Sequence, residues 1–306
     1  MTSLRSLSFY GICLYLTFLL AGPPVFSQEE NYEWWNNKHN WDGVTNWAKY
    51  LIYSPAYMGP NALPVPAIRD ARIDTEVSLE GRAEMHFSGG DNTQNVFMKL
   101  HYPFLDGRVA LEFYGVPVEH FKTDTLTRDE RRGRDQDATG FAAGDLYIGT
   151  LVQLLRDHRL WPDLLLGISL RTASGGNLGN ARFTDAPGYF FDLSMGKSFE
   201  LQANLNIRPY LMAGFYVWQT NRDDYRQNDA FLYGLGLSLT GNNMSFNTAL
   251  GGYKGYIGNG DAPMVFRAHA TRKFGNTHLK ISFQQGLQDF MYSTAGLGVV
   301  VVIGRR

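Results

Sequence analysis

Two residues in this chain are spaced as a base and a nucleophile would be. His86 and Ser88 lie two apart, so an extended strand places imidazole and hydroxyl on one face. With a third group to orient the imidazole, such a pair serves ester hydrolysis. The same face carries Glu80, Arg82 and Glu84, and Gly89-Gly90 follows the serine. A charged face looks onto water, whereas hydrolysis of a lipid needs its pair turned toward the bilayer. No catalytic residue is assigned, and His86 with Ser88 stands only as the second alternative.

Fixed charge is the other chemistry on offer. Asp74, Glu76, Glu80 and Glu84 alternate along one stretch, offset by Arg82 and His86. Cations on polar faces elsewhere include Lys99, His101, Arg171, Arg208, Arg267, His269, Lys273, His278 and Lys280. Opposed acidic and basic walls set the field that a solute feels in a narrow channel. The same charges also fit a closed barrel filled with salt bridges. Asp74, Glu76, Glu80, Arg82, Glu84, Arg171, Arg208 and Arg267 are the expected lumen-lining set.

Residues 122–137 carry five basic and five acidic side chains, which reads as a solvated, self-paired loop, with a lid as the alternative. Asp135 and Asp137 are too sparse for a metal site, the seven histidines are scattered, and no Walker, HExxH, GxSxG or EF-hand motif occurs. No cofactor and no metal is expected.

These groups need elements to position them, and the pattern behind them has a period of two. Ile73, Thr75, Val77, Leu79, Ala83, Met85 and Phe87 alternate with Asp74, Glu76, Ser78, Glu80, Arg82, Glu84 and His86. Similar alternation recurs to give about twelve strands, the last running through Leu297, Val299, Val301 and Ile303. Connectors alternate between longer polar segments and tight turns such as Asp106-Gly107, Asn242-Asn243 and Gly275-Asn276. Long strands, an even strand number and loops at one end predict an all-β fold. That fold is a transmembrane antiparallel up-and-down β-barrel of the outer-membrane type, with both termini in the periplasm. A secreted β-sandwich also alternates, but with shorter strands. Tyr102, Phe104, Tyr114, Tyr189, Trp218, Tyr253, Tyr256 and Tyr292 are expected to form aromatic girdles.

Residues 1–27 read as a cleaved signal peptide: Arg5, an apolar run over residues 9–22, then Pro23-Pro24 and Val25-Phe26-Ser27. The one cysteine, Cys13, lies inside it, which excludes disulfides and thiolate chemistry from the rest. A net charge of -1 argues against a nucleic-acid partner. Aromatics at 14% and hydrophobics at 44% argue against disorder. Residues 28–71 hold Trp34, Trp35, Trp41 and Trp47. Val44, Trp47, Ala48 and Leu51 predict one short helix capped by Asp42. That segment is expected at the periplasmic rim, with a plug or docking arm as the alternative. Residues 72–306 form the barrel.

Gly144-Asp145-Leu146 opens one strand, and residues 162–175 run from Pro162-Asp163-Leu164 to Arg171-Thr172-Ala173-Ser174-Gly175. Over residues 144–199 the chain resembles the phenol-degradation MetA-like outer-membrane proteins, with Ala173-Ser174 where that family has Pro-Thr. The resemblance implies passive uptake of small solutes, hydrophobic or aromatic ones included. The expected function is a passive outer-membrane channel or transporter, and the first alternative is a non-conducting structural or surface-interaction barrel. The partners expected are outer-membrane lipid, a small solute and the barrel-assembly machinery, although Arg306 replaces the aromatic end common among such barrels.

Overall fold

The computed structural model describes residues 31–305, so the signal-peptide expectation for residues 1–27 lies outside the described residues. Fourteen strands occur in chain order. They are β1 (Glu76–Phe87), β2 (Asp91–Phe104), β3 (Val109–Thr123), β4 (Thr139–Ala142), β5 (Leu146–Leu155), β6 (Asp163–Arg171) and β7 (Gly188–Gly196). The chain continues through β8 (Phe199–Gln202), β9 (Leu205–Gln219), β10 (Gln227–Thr240), β11 (Met244–Lys254), β12 (Met264–Phe274), β13 (Thr277–Gln288) and β14 (Ser293–Arg305).

Twelve of these close an antiparallel barrel. β1 pairs with β14 from Glu76 opposite Arg305 to Phe87 opposite Ser293, which removes the free edge. The short β4 and β8 are side strands on β3 and β9. Closure matters because the exterior is apolar: in lipid, an open edge would leave unpaired backbone groups with no water to satisfy them.

Strand parity decides which residues meet lipid. On β1, Met85 and Phe87 are 54% and 48% exposed while His86 between them is 4% exposed. The outer face continues through Phe191, Leu211, Phe215, Leu235, Ile281, Leu297 and Val301, all exposed. The strands of 12 to 15 residues at β1, β2 and β3 exceed the ~9–11 residues needed to cross a bilayer. The expected alternation of connector length holds only in part. β1 passes to β2, and β13 to β14, by short turns at the end where the longer loops emerge. The long connectors follow β3 and β6.

Four of the expected girdle aromatics point inward instead. Tyr114 is half-buried, and Trp218, Tyr253 and Tyr292 are buried, because each sits on the inner parity of its strand or turn. Tyr189 and Tyr256 are exposed as expected.

Residues 31–75 depart furthest from the expectation. They hold an α-helix, α1 (Glu33–Lys38), and a 3-10 turn at Trp47–Tyr50, rather than one amphipathic helix. Asp42 accepts hydrogen bonds from the backbone of Val44 and Thr45, while Asn46 caps the 3-10 turn through Ala48 N–H. Nor do they sit on the rim where the turns are short. Trp35 Nε1 donates to the Arg132 carbonyl in the loop after β3, and Lys38 pairs with Asp129 there, at the long-loop end. Residues 51–75 then pass down the inside of the barrel as a strap, turning over residues 54–62 and extended over 64–70, and run into β1 at the other end. Pro64 and Pro66 keep the lower strap extended, Pro55 and Pro60 sit in its turns, and all four remove backbone donors, so its carbonyls need partners from the wall.

Candidate functional site

The site is the lumen, divided lengthwise by the strap. One wall, on β5, β7 and β9 to β11, is aromatic. Phe190, Met212, Tyr216, Trp218, Leu232 and Tyr253 form one buried cluster with Leu63 and Val65 of the strap. Tyr216 and Tyr253 meet edge-on with ring centroids 5.2 Å apart, and the Tyr253 hydroxyl donates to the Leu63 carbonyl at 2.8 Å. Gly234 and Gly251 face each other across β10 and β11. A Cβ on either would stand 2.3 or 2.5 Å from Ile68 Cδ1, so the paired glycines form the notch that seats Ile68.

Wall arginines meet the strap's carbonyls. Arg171 donates to Ala62 O at 2.5 Å, Arg267 to Val65 O at 2.5 Å and Pro66 O at 2.9 Å, and Arg208 to Asp70 O at 2.7 Å. All three belong to the set expected to line the lumen, and in the structure they are buried or half-buried and grip another part of the chain. A charged donor to a carbonyl is the stronger class of hydrogen bond, and burial strengthens it further.

The opposite wall, on β12 to β14 and β1 to β3, is charged and paired. Arg82 lies between Glu80 at 2.5 Å and Glu84 at 2.7 Å, and Lys280 reaches Glu80 at 3.0 Å. Glu112 on β3 takes Lys99 at 2.6 Å and Arg69 of the strap at 3.2 Å, and Arg69 also reaches Asp192 at 3.1 Å. The expectation of one acidic wall facing one basic wall is therefore corrected. Acid and base alternate within one wall, where register brings Glu80 opposite Lys99 and Val300.

Asp74 does not line the lumen: it precedes β1 and is exposed, because the alternation breaks where Ile73 turns inward beside Ala110 and Leu165. Glu76 opens β1, half-buried at the same end.

Toward the long-loop end the pairing is tightest. Asp91 accepts from Arg131 and Arg182 at 2.6 Å each and from the Tyr292 hydroxyl at 2.7 Å. Arg182 also reaches Glu119 at 2.7 Å. The loop over residues 122–137 is not simply solvated. Its helix α2 (Thr125–Glu130) leads to Arg131, which is 5% exposed and turned into the barrel. Arg128 lies over the Trp34 ring at 4.1 Å and Arg134 over Tyr32 at 3.8 Å, so the loop holds α1 across the mouth. Burial pushes the Asp129 carboxyl up, but hydrogen bonds from Lys38 and Arg128 outweigh it and hold the carboxyl below the usual range.

His86 and Ser88 are not brought together as acid–base partners. His86 bonds to Asn95 at 2.5 Å and Thr294 at 2.8 Å, and the Ser88 hydroxyl bonds to the backbone of Asp91 at 3.1 Å. That geometry supplies no activated nucleophile. Between strap and charged wall a cavity of about 300 Å³ remains. Arg82, Glu84, Lys99 and Arg267 of the charged wall line it with Val65 and Ile68 of the strap, and Tyr147, Phe190 and Tyr216 of the aromatic wall reach it past the strap.

Sequence reasoning missed Asp91, Glu112, Glu119 and Arg182. Asp91 and Glu112 sit at inner-parity positions and were legible by the alternation already in use, whereas Glu119 faces inward only because a bulge in β3 shifts the register between it and Glu112. Arg182 lies in the loop after β6, where no periodicity points to it.

No protein-family model matches the chain, and no curated protein matches it. Solved structures share its fold. The COG4313 outer membrane channel from Pseudomonas putida F1 aligns at TM-score 0.50 and 15% identity, covering 79% of this chain and 97% of that one. KdgM porin aligns at TM-score 0.47 and 11% identity, over 74% of this chain and 98% of its own. LpxR from Salmonella typhimurium aligns at 0.46 and 10%, over 74% and 99%. Closed antiparallel strands with an apolar exterior make this chain an outer-membrane-type β-barrel.

Proposed function

We propose that the chain is an outer-membrane channel for the passive passage of small solutes, its bore narrowed by the strap to one side of the lumen. The observation that carries this reading is the cavity of about 300 Å³ left between the strap and the charged wall. A barrel whose interior serves only stability is filled by side chains, whereas this one leaves solute-sized space beside ionisable groups. The COG4313 channel shares the fold, and the resemblance of residues 144–199 to MetA-like barrels favours small solutes, hydrophobic ones among them. The long loops face the cell exterior in this reading, and outer-membrane lipid surrounds the apolar belt.

Single-channel recording of the purified barrel in planar bilayers tests it. Discrete conductance steps are expected, small because the strap occupies most of the section. Absence of steps, persisting after residues 31–71 are removed from a barrel that still folds, would overturn the reading. The grips on the strap favour one second reading, a closed barrel with a structural role. In that case the intact protein is silent and only the strap-deleted form conducts.

A further inference from the structure

The cavity is not electrically balanced. Its lining, with the ion-pair partners behind that lining, contains six side-chain cations: Arg69, Arg82, Lys99, Arg171, Arg267 and Lys280. Five carboxylates answer them: Glu80, Glu84, Glu112, Asp145 and Asp192. Each carboxylate lies within 4 Å of a cation, Asp145 the farthest at 3.9 Å from Arg171. Arg267 alone of the six has no carboxylate within that distance among the described residues. Its guanidinium is held by three neutral oxygens, from Val65, Pro66 and Gln284. Those bonds fix its position and leave it with no carboxylate in contact beside the cavity, Glu84 acting on it only from beyond ion-pair distance. A cation held in low-dielectric surroundings without a counter-charge is costly, and an anion brought to it recovers that cost.

The rest of the lining describes what the anion is attached to. Phe97, Tyr114, Val65 and Ile68 present apolar surface to the same space. The Tyr114 ring lies parallel to Tyr147, centroids 4.8 Å apart, which offers a flat face. Arg82 lies 4.4 Å over the Phe97 ring, so the apolar and charged parts of the lining adjoin. The volume is at the lower end of the ~300–1,000 Å³ range of small-molecule sites.

From these features we infer that the cavity is a recognition site for a small organic monoanion with a flat apolar body, its carboxylate seated at Arg267. This deepens the channel reading and rests on it for its biological sense, since a site midway along a bore is a selectivity site for what passes.

The test uses the folded barrel in detergent and, in parallel, in planar bilayers. Benzoate, benzyl alcohol and benzylammonium share one ring and differ in charge. Calorimetric titration should show benzoate binding at least about tenfold more tightly than either of the others, the scale of one charged hydrogen-bonded contact. R267Q should remove that preference, whereas R267K, which keeps the charge, should retain it. Heat-modifiable gel mobility reports that each variant is folded, and if R267Q fails to fold, the probe series on wild type and R267K still decides. Equal binding of benzoate and benzyl alcohol, or a preference for benzylammonium, overturns the inference. In bilayers, conductance with no anion preference overturns the inference and leaves the channel reading standing. Selective benzoate binding by a barrel that never conducts does the reverse.

Discussion

Two sides of one lumen hold the same strap by different means. Against β7 to β11 the strap packs as a protein core does, with Tyr216, Trp218 and Tyr253 around Leu63 and Val65 and with Ile68 in its glycine notch. Against β12 to β3 it is held at separate polar points, Arg267 on the carbonyls of Val65 and Pro66 and Glu112 on Arg69, and the cavity opens between them. Apolar surfaces close on each other because water leaves them at a gain. A charged wall does not, because stripping water from ion pairs costs as much as contact returns. The strap is therefore off-centre for a physical reason, and the free bore lies on the side where desolvation is dear.

Tyr253→Ala on the aromatic side should have the largest effect. It deletes a fully buried ring and the donor to Leu63 O, and an exchange of this kind costs about 3–5 kcal/mol. Urea unfolding followed by heat-modifiable mobility measures it. A loss no larger than for Phe97→Ala on the charged side would mean that the two sides do not differ as described.

The charged side is probed by the double change Glu80→Gln with Glu84→Gln. It strands Arg82 and Lys280, and breaking partly buried pairs of this sort should cost about 3 kcal/mol. It should also shift the reversal potential in a salt gradient toward anions. A destabilised barrel with an unchanged reversal potential would remove these residues from the conduction path.

A subtler lever is Gly234→Val, which fills the notch under Ile68. Overpacking of this kind costs about 1–3 kcal/mol, less than losing a core aromatic. It should push the strap toward the charged wall and lower the conductance. An increase would show that the strap yields outward along the barrel axis instead.

The smallest effect concerns the strap's head. Asp129 has its carboxyl held low by Lys38 and Arg128, so its contribution to docking α1 is complete above the ordinary carboxylate value of about 4. It is lost as pH falls through the lower folded value. Tryptophan emission should stay constant from neutral pH down to the usual carboxylate range and shift to the red only below it. A shift already complete near neutrality would assign the latch to a histidine instead.

Much of the barrel was legible because lipid and lumen impose opposite demands on neighbouring residues, and β1 obeys them over most of its length, whereas β14 keeps the apolar outer face but has Gly and Val inside. The strap was hidden for a reason found in β9. There Tyr210, Met212, Tyr216 and Trp218 occupy the inner parity, where water would require polar groups. An inner face that is not polar needs a cover, and that signal was present in the sequence, although only Trp218 of the four was given a role there, as part of a girdle. What holds the cover was not legible at all. Arginines that meet backbone carbonyls of Ala62, Val65 and Asp70 leave no mark at the accepting positions, since every residue has a carbonyl.

The strap runs directly into β1, and β1 zips to β14 to complete the ring. A segment gripped along its length by the surrounding wall cannot be slipped in sideways once that seam is hydrogen-bonded. Entry through the side of the barrel is therefore confined to the time before that ladder forms, and any later entry would have to run along the axis through the mouth. Closing β1 on β14 with the strap in place would be less like rolling a sheet than like fastening a sleeve around a cord.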